Sequence, residues 1–197
     1  MHISDGVLGL ETTLIVSVIS LIALVKAVRE LKNEDISLTS VASAMFFIAS
    51  FIHIPFGVTQ IHLILLGVIG ILISWSSFVA IFVALLLQAL LLGYGGISSL
   101  GVNLFIMAMP AVMVYYIYNT TFIKNLNDKI KFFLVGFLGT FFATVFLTLI
   151  LYFSKEEYNY VAISVFGINI ITMLIEGTIS MFLLLFIKKV YPKILKA

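Results

Sequence analysis

Three nitrogens that can bind a metal sit in the first two residues of the chain. A free Met1 amine, the His2 backbone nitrogen and the His2 imidazole can close two small chelate rings around one ion, with no distant part of a fold to position. If the amide loses its proton, the three nitrogens lie in a plane. One further imidazole then completes the square-planar nitrogen set that suits Ni(II) or Cu(II), and cobalt needs some tolerance of that geometry. Because His2 is bulky, Met1 is expected to stay in place. The opening Met1-His2-Ile3-Ser4-Asp5-Gly6 also lacks the positive stretch and small-residue cleavage site of a removable signal. The natural fourth ligand is His62, in Val58-Thr59-Gln60-Ile61-His62-Leu63. His53 precedes Ile54-Pro55-Phe56-Gly57, where Pro and Gly break a helix. It reads first as an interfacial histidine at a helix end, and second as a support or substitute for the His62 ligand.

The elements that must hold these residues are read from composition. Of 197 residues, 62% are hydrophobic and 10% charged, against about 25% charged in an ordinary water-soluble domain. There is no cysteine, which excludes disulfides, zinc-thiolate sites and thiol catalysis. A net charge of +2 is too small to point to nucleic acid. Apolar runs long enough to cross a bilayer predict spans near 8–25, 37–54, 61–74, 77–92, 100–118, 132–153 and 161–187. The third and fourth are nearly continuous across Ser74-Trp75-Ser76-Ser77, and charge decides whether they are one span or two.

With seven spans and an outside N-terminus, the cytoplasmic side holds Lys26, Arg29, Lys32, Lys124, Lys129, Lys131, Lys188, Lys189, Lys193 and Lys196, ten of the eleven basic residues, leaving only Lys155 outside. Fusing the two runs reverses every later loop and gives four inside against seven outside. The excess of Lys and Arg on cytoplasmic loops therefore selects seven. The expectation is an all-α, polytopic membrane helix bundle, one transmembrane domain over 1–197, with residues 1–7 and all three histidines at the outer end and the C-terminus inside.

Polar and small residues within the spans are the remaining candidates. Gln88 and Asn103 are expected to brace the loop from Gly93 to Gly101, or to stand behind the metal ligands. Glu176, the one carboxylate deep in a span, is placed in the inner half of the last span, far from the outer histidines, for helix bracing or coupling to a partner. Ala23-x-x-x-Ala27 and Ser40-x-x-x-Ala44 have the small-residue spacing that lets helices approach closely. Phe132-Phe133 and Phe141-Phe142 read as lipid-facing or packing residues. No ATP-binding motif, Gly-x-Ser-x-Gly elbow or His-Glu-x-x-His helix occurs, so no enzyme is expected and any nucleotide-driven step falls to another subunit.

These residues resemble the CbiM/NikM substrate-binding components of energy-coupling-factor cobalt and nickel transporters. Met1-His2-Ile3-Ser4-Asp5-Gly6-Val7-Leu8 is similar to the family's opening Met-His-Ile-x-Asp/Glu-Gly-Phe-Leu, and Thr59-Gln60-Ile61-His62-Leu63 to its Thr-Ser-x-His-Leu. The run from Leu85 to Asn103 resembles Leu-Leu-x-Gln-Ala-Leu-Leu-Phe-x-x-Gly-Gly-Leu-x-x-Leu-Gly-Ala-Asn. The resemblance implies Met1, His2 and His62 as the ligands of a transported nickel or cobalt ion. It further implies a first span added to a six-span core, in the cell (cytoplasmic or inner) membrane. The implied partners are a transmembrane coupling subunit, which the small-residue pairs would suit, two ATP-binding subunits, and as an optional addition a small accessory membrane subunit. Membrane lipid surrounds the chain, and no nucleic acid is involved.

Gln60 replaces the serine of the family pattern and joins His53, Gln88 and Asn103 as a residue that could stand behind the ligands. The segment before His62 lacks the usual Gly-Gly, His53 stands where Asn is common, and Asn169 stands where His is usual before Glu176-Gly177-Thr178-Ile179. An organic-vitamin subunit or an ion channel is the alternative. The first would call for more aromatic and hydrogen-bonding groups and the second for rings of charge.

Overall fold

A computed structural model of the chain describes residues 2–56 and 59–195; the side chains of 53–56, 59–62 and Glu156 fall outside the described set. Helix α1, Leu10–Glu30, buries only a narrow stripe of small residues, Ser20, Ala23 and Ala27. Large residues such as Leu10, Ile15, Leu21 and Ile22 stay exposed. The stripe lets α1 lie against helix α5, Leu100–Tyr118, where the Ser20 hydroxyl donates to the Gly101 carbonyl at 2.6 Å. Ala23 and Ala27 are thus packed into the chain's own core, the structural one of the two roles expected for them.

Helix α2, Ile36–Ala49, ends before the expected 54, and helix α3, Leu66–Ile73, starts after the expected 61. Between them strands β1, His53–Phe56, and β2, Thr59–His62, form an antiparallel hairpin in which His53 pairs with His62. The cause is local. Ile52, Ile54, Val58, Thr59 and Ile61 are β-branched, and Pro55 and Gly57 refuse a continuing helix.

After α3 the chain turns through Ser74–Ser76 into helix α4, Ser77–Leu87, and then one π-helical turn, Gln88–Leu92. The run Leu66–Leu92 is apolar throughout, but it reverses direction at Ser74, whose backbone sits at φ 46° and ψ −123°. Two contacts with α5 show the reversal. A Cβ on Gly70 would lie 2.0 Å from the Ala111 carbonyl, and Trp75 Nε1 donates to the Tyr116 hydroxyl at 2.9 Å, so α3 advances toward the C-terminal end of α5. Gln88, at the end of α4, lies instead beside the N-terminal segment that also bonds Asn103 at the start of α5.

Helix α6, Thr121–Lys124, is a single turn. It leads to the two longest helices, α7, Asp128–Ser154, and α8, Asn159–Val190, which pack along each other. Gly136 brings them close, since a Cβ there would meet the Ser180 side chain at 2.4 Å. Among the described residues, five stretches are long and apolar enough to cross a membrane by length and composition: α1, Leu66–Leu92, α5, α7 and α8.

The ends of the bundle differ chemically. At one end Lys26 Nζ sits 3.5 Å above the Trp75 ring, and Asp128 pairs with Lys131 and with Lys188. At the other, Gly9 N–H donates to the Ser154 hydroxyl at 3.1 Å, and His2 and Lys155 are found there.

Candidate metal centre

The residues before α1 are tied down at several points. Asn103 clamps the backbone of Ile3 in both directions: its Oδ1 accepts from Ile3 N–H at 2.8 Å, and its Nδ2 donates to the Ile3 carbonyl at 2.9 Å. One side-chain amide does here what a neighbouring strand would do, and Ile3 is 4% exposed. Asp5 N–H then donates to the Gly95 carbonyl at 3.0 Å, and Asp5 Oδ1 accepts from Ser99 N–H at 2.9 Å, just before α5. A carboxylate at a helix N-terminus satisfies donors that have no partner within the helix. A bond from the Ser98 hydroxyl, aided by Ser99, holds the Asp5 carboxyl below its ordinary range.

The loop must leave room for this. Gly96 adopts φ +132°, and a Cβ there would fall 2.2 Å from the Asp5 carboxylate; Gly95 adopts φ +76°, and a Cβ there would lie 2.8 Å from Asn103 Nδ2. Only glycine takes up both the conformation and the space.

Held this way, His2 presents Nε2 to Gln88 Oε1 at 2.9 Å. Because the amide oxygen accepts, Nε2 carries the proton, and the lone pair of that tautomer is on Nδ1. Nδ1 is the nitrogen that can join the His2 backbone nitrogen in a six-membered chelate ring. Gln88 is fully buried and opens the π-helical turn, which ends at Gly93 with φ 68°; such turns often mark functional positions. The Tyr94 ring stands 6.0 Å from the imidazole, centroid to centroid. Burial, followed by the positive amino terminus, pushes the His2 pKa down to about 4 against the opposing effect of the Gln88 bond. The imidazole is therefore neutral at pH 7, the state in which it binds a metal.

Gln88→Leu keeps the volume and removes the acceptor. It is expected to weaken nickel or cobalt binding about 10–100-fold, read by calorimetry, with the thermal midpoint in detergent as the fold control.

The other sequence candidates fall as follows. Met1 lies outside the described residues, as do the side chains of His53, Gln60 and His62, whose backbones form the hairpin. Gln88 and Asn103 each bond the N-terminal segment, so both bear on the site as well as on the loop. Glu176 was expected to lie far from the histidines; its carboxylate instead accepts from Ile64 N–H at 2.5 Å and from Leu65 N–H at 3.2 Å, just past His62. Ser40 and Ala44 are exposed beside a groove of about 340 Å³ between α2 and α4. Sequence reasoning missed the latch made by Asp5, Gly95, Gly96 and Ser99, although Asp5 and both glycines stood in the motifs already noted. Among the described residues, no group of three or more His, Asp or Glu could hold a metal. A set drawn from two N-terminal residues and one imidazole does not require one.

A family described as the cobalt uptake substrate-specific transmembrane region, CbiM, matches residues 2–194. The chain belongs to the CbiM family. A Haemophilus influenzae protein named for metal transport is similar to it, 32% identical over 201 residues that span 99% of this chain and 97% of the relative. The cobalt transport protein CbiM of Clostridium tetani is 33% identical over 211 residues, 98% of this chain and 86% of that one. A crystal structure of a transition metal transporter superposes with a TM-score of 0.79 at 26% identity, covering 96% of this chain and 93% of the other. As a CbiM-family chain with several apolar helices of spanning length, it is a multi-pass membrane protein and a membrane component of metal transport.

Proposed function

We propose that this chain captures one nickel or cobalt ion for import, using the Met1 amine, the His2 amide nitrogen, His2 Nδ1 and the His62 imidazole. The observation that carries the reading is the bond from His2 Nε2 to Gln88, which selects the chelating tautomer. The Asn103 clamp adds support by removing the freedom of the segment before any ion arrives, a cost that binding would otherwise have to meet.

Counting α2 and the reversed pair α3 and α4 as crossings gives seven spans in the cell membrane. The end bearing Lys26, Arg29, Lys131 and Lys188 is cytoplasmic by the bias of basic residues, and His2 is outside, where a nutrient ion arrives. The whole chain then acts as one transmembrane unit. Power comes from elsewhere: two ATP-binding subunits and a transmembrane coupling subunit of the energy-coupling-factor type. The exposed Ser40 and Ala44 flank the groove between α2 and α4, and small residues there let a partner helix approach closely.

Titrating untagged, detergent-solubilised protein with Ni(II) and Co(II) tests the reading. One ion per chain is expected, and His62→Ala should lower Ni(II) affinity at least about 100-fold, toward what three nitrogens alone can hold. Normal binding by His62→Ala would reject this ligand set.

A further inference from the structure

We infer that Glu176 is a positioning residue for the metal site, acting through the segment that carries His62. The inference rests on the ligand set proposed above and adds to it a residue 114 positions further along the chain.

Helix α3 begins inside the protein, with Leu63, Ile64, Leu65 and Leu66 all buried. The amide N–H groups at the start of a helix have no partner within it, and burial denies them water. For Ile64 and Leu65 the partner is the Glu176 carboxylate: Oε1 takes Ile64 N–H at 2.5 Å, and Leu65 N–H lies 3.3 Å from Oε1 and 3.2 Å from Oε2. Glu176 is itself 0% exposed. Leu65 needs the holding, since its φ of 52° is left-handed, a conformation that a leucine backbone rarely adopts unaided.

Just below, α3 is locked to α7, where a Cβ on Gly67 would lie 1.9 Å from the Val135 carbonyl. The helix therefore cannot slide, and the strand ending at His62 meets it through Leu63 and Ile64. The place where the carboxylate grips those amides sets where β2 ends, and so the backbone position of His62. The carboxylate acts two residues from a proposed ligand.

A double-mutant cycle separates positioning from folding. In Glu176→Gln the side chain keeps its shape and one acceptor oxygen, and Ni(II) affinity is expected to drop about 10–100-fold. Its Ni(II) absorption band should move toward that of His62→Ala. In the His62→Ala background the same change should cost less than about 2-fold, because the group through which Glu176 acts is gone.

Glu176→Asp withdraws the carboxylate by one methylene, keeps its charge and should fall between wild type and Glu176→Gln; it replaces Gln in the cycle if that variant does not fold. Thermal midpoints of all variants report the structural contribution separately. Wild-type affinity in Glu176→Gln, or an equal penalty with and without His62, would overturn the positioning role while leaving the ligand set intact. Absence of Ni(II) binding by the wild type, or unchanged binding by His62→Ala, would remove the ligand set and this inference with it.

Discussion

Extending the chain by several residues before Met1, none of them histidine, is expected to abolish nickel and cobalt binding. The extension turns the Met1 amine into an amide, whose nitrogen no longer offers a basic lone pair, and so breaks the five-membered chelate ring. His2→Ala removes the other ring by deleting Nδ1, the nitrogen that the Gln88 bond prepares. Either change removes one of the four proposed nitrogens and leaves a single chelate ring. A loss of at least about 1,000-fold, near 4 kcal/mol, is expected for each. The measurement compares N-terminally extended, C-terminally tagged and untagged protein by calorimetry. Undiminished binding by the extended chain would sink the proposed function, because its ligand set requires a free amine.

Asn103→Leu should be nearly as damaging, although Asn103 is not a proposed ligand. The substitution removes two hydrogen bonds at once and leaves the Ile3 N–H and carbonyl buried without partners. Each buried orphan costs about 1–3 kcal/mol. Metal affinity is expected to fall at least about 30-fold, about 2 kcal/mol, and amide hydrogens of residues 2–5 should exchange faster. Asn103→Asp makes a sharper comparison. A carboxylate can still accept from Ile3 N–H, but its other oxygen would face the Ile3 carbonyl, acceptor against acceptor. Only an amide presents both faces, so the near-isosteric aspartate should fail as well. If Asn103→Asp binds metal like the wild type, the clamp is incidental.

How far the sequence reveals these devices depends on the range of the interaction. The run 100–118 coincides with α5 because its ends are marked by a glycine-rich loop and by Asn119-Thr120, local signals both. The turn at Ser74 was legible through charge bookkeeping, and the structure supplies its mechanics in the Trp75 bond to Tyr116. The hairpin was not legible. Its ten residues include two histidines, a glutamine, a proline and a glycine, so hydropathy marks a break between spans but does not say whether the backbone there is loop or ribbon.

The small pair Ala23 and Ala27 was recognised as a contact surface, but spacing cannot say which helix it contacts, and the answer lay within the chain. The Asn103 clamp joins residues 100 positions apart, beyond the reach of any periodicity. Glu176 was identified as unusual from its charge alone; that it serves amides at the start of α3 required the packing of α8 against a helix more than a hundred residues earlier.

The brevity of α3 has a consequence for how cargo meets this molecule. Eight helical residues rise about 12 Å, under half of a hydrocarbon layer about 30 Å thick. In the proposed seven-span arrangement the rest of that crossing, on the His2 side, falls to the hairpin and the linking residues Leu63 to Leu65. Irregular backbone survives at such depth only when protein encloses it or water reaches it. Leu63, Ile64 and Leu65 are buried, so here protein encloses it, and in the proposed reading an ion arriving on the His2 side meets backbone that the bundle shields from lipid.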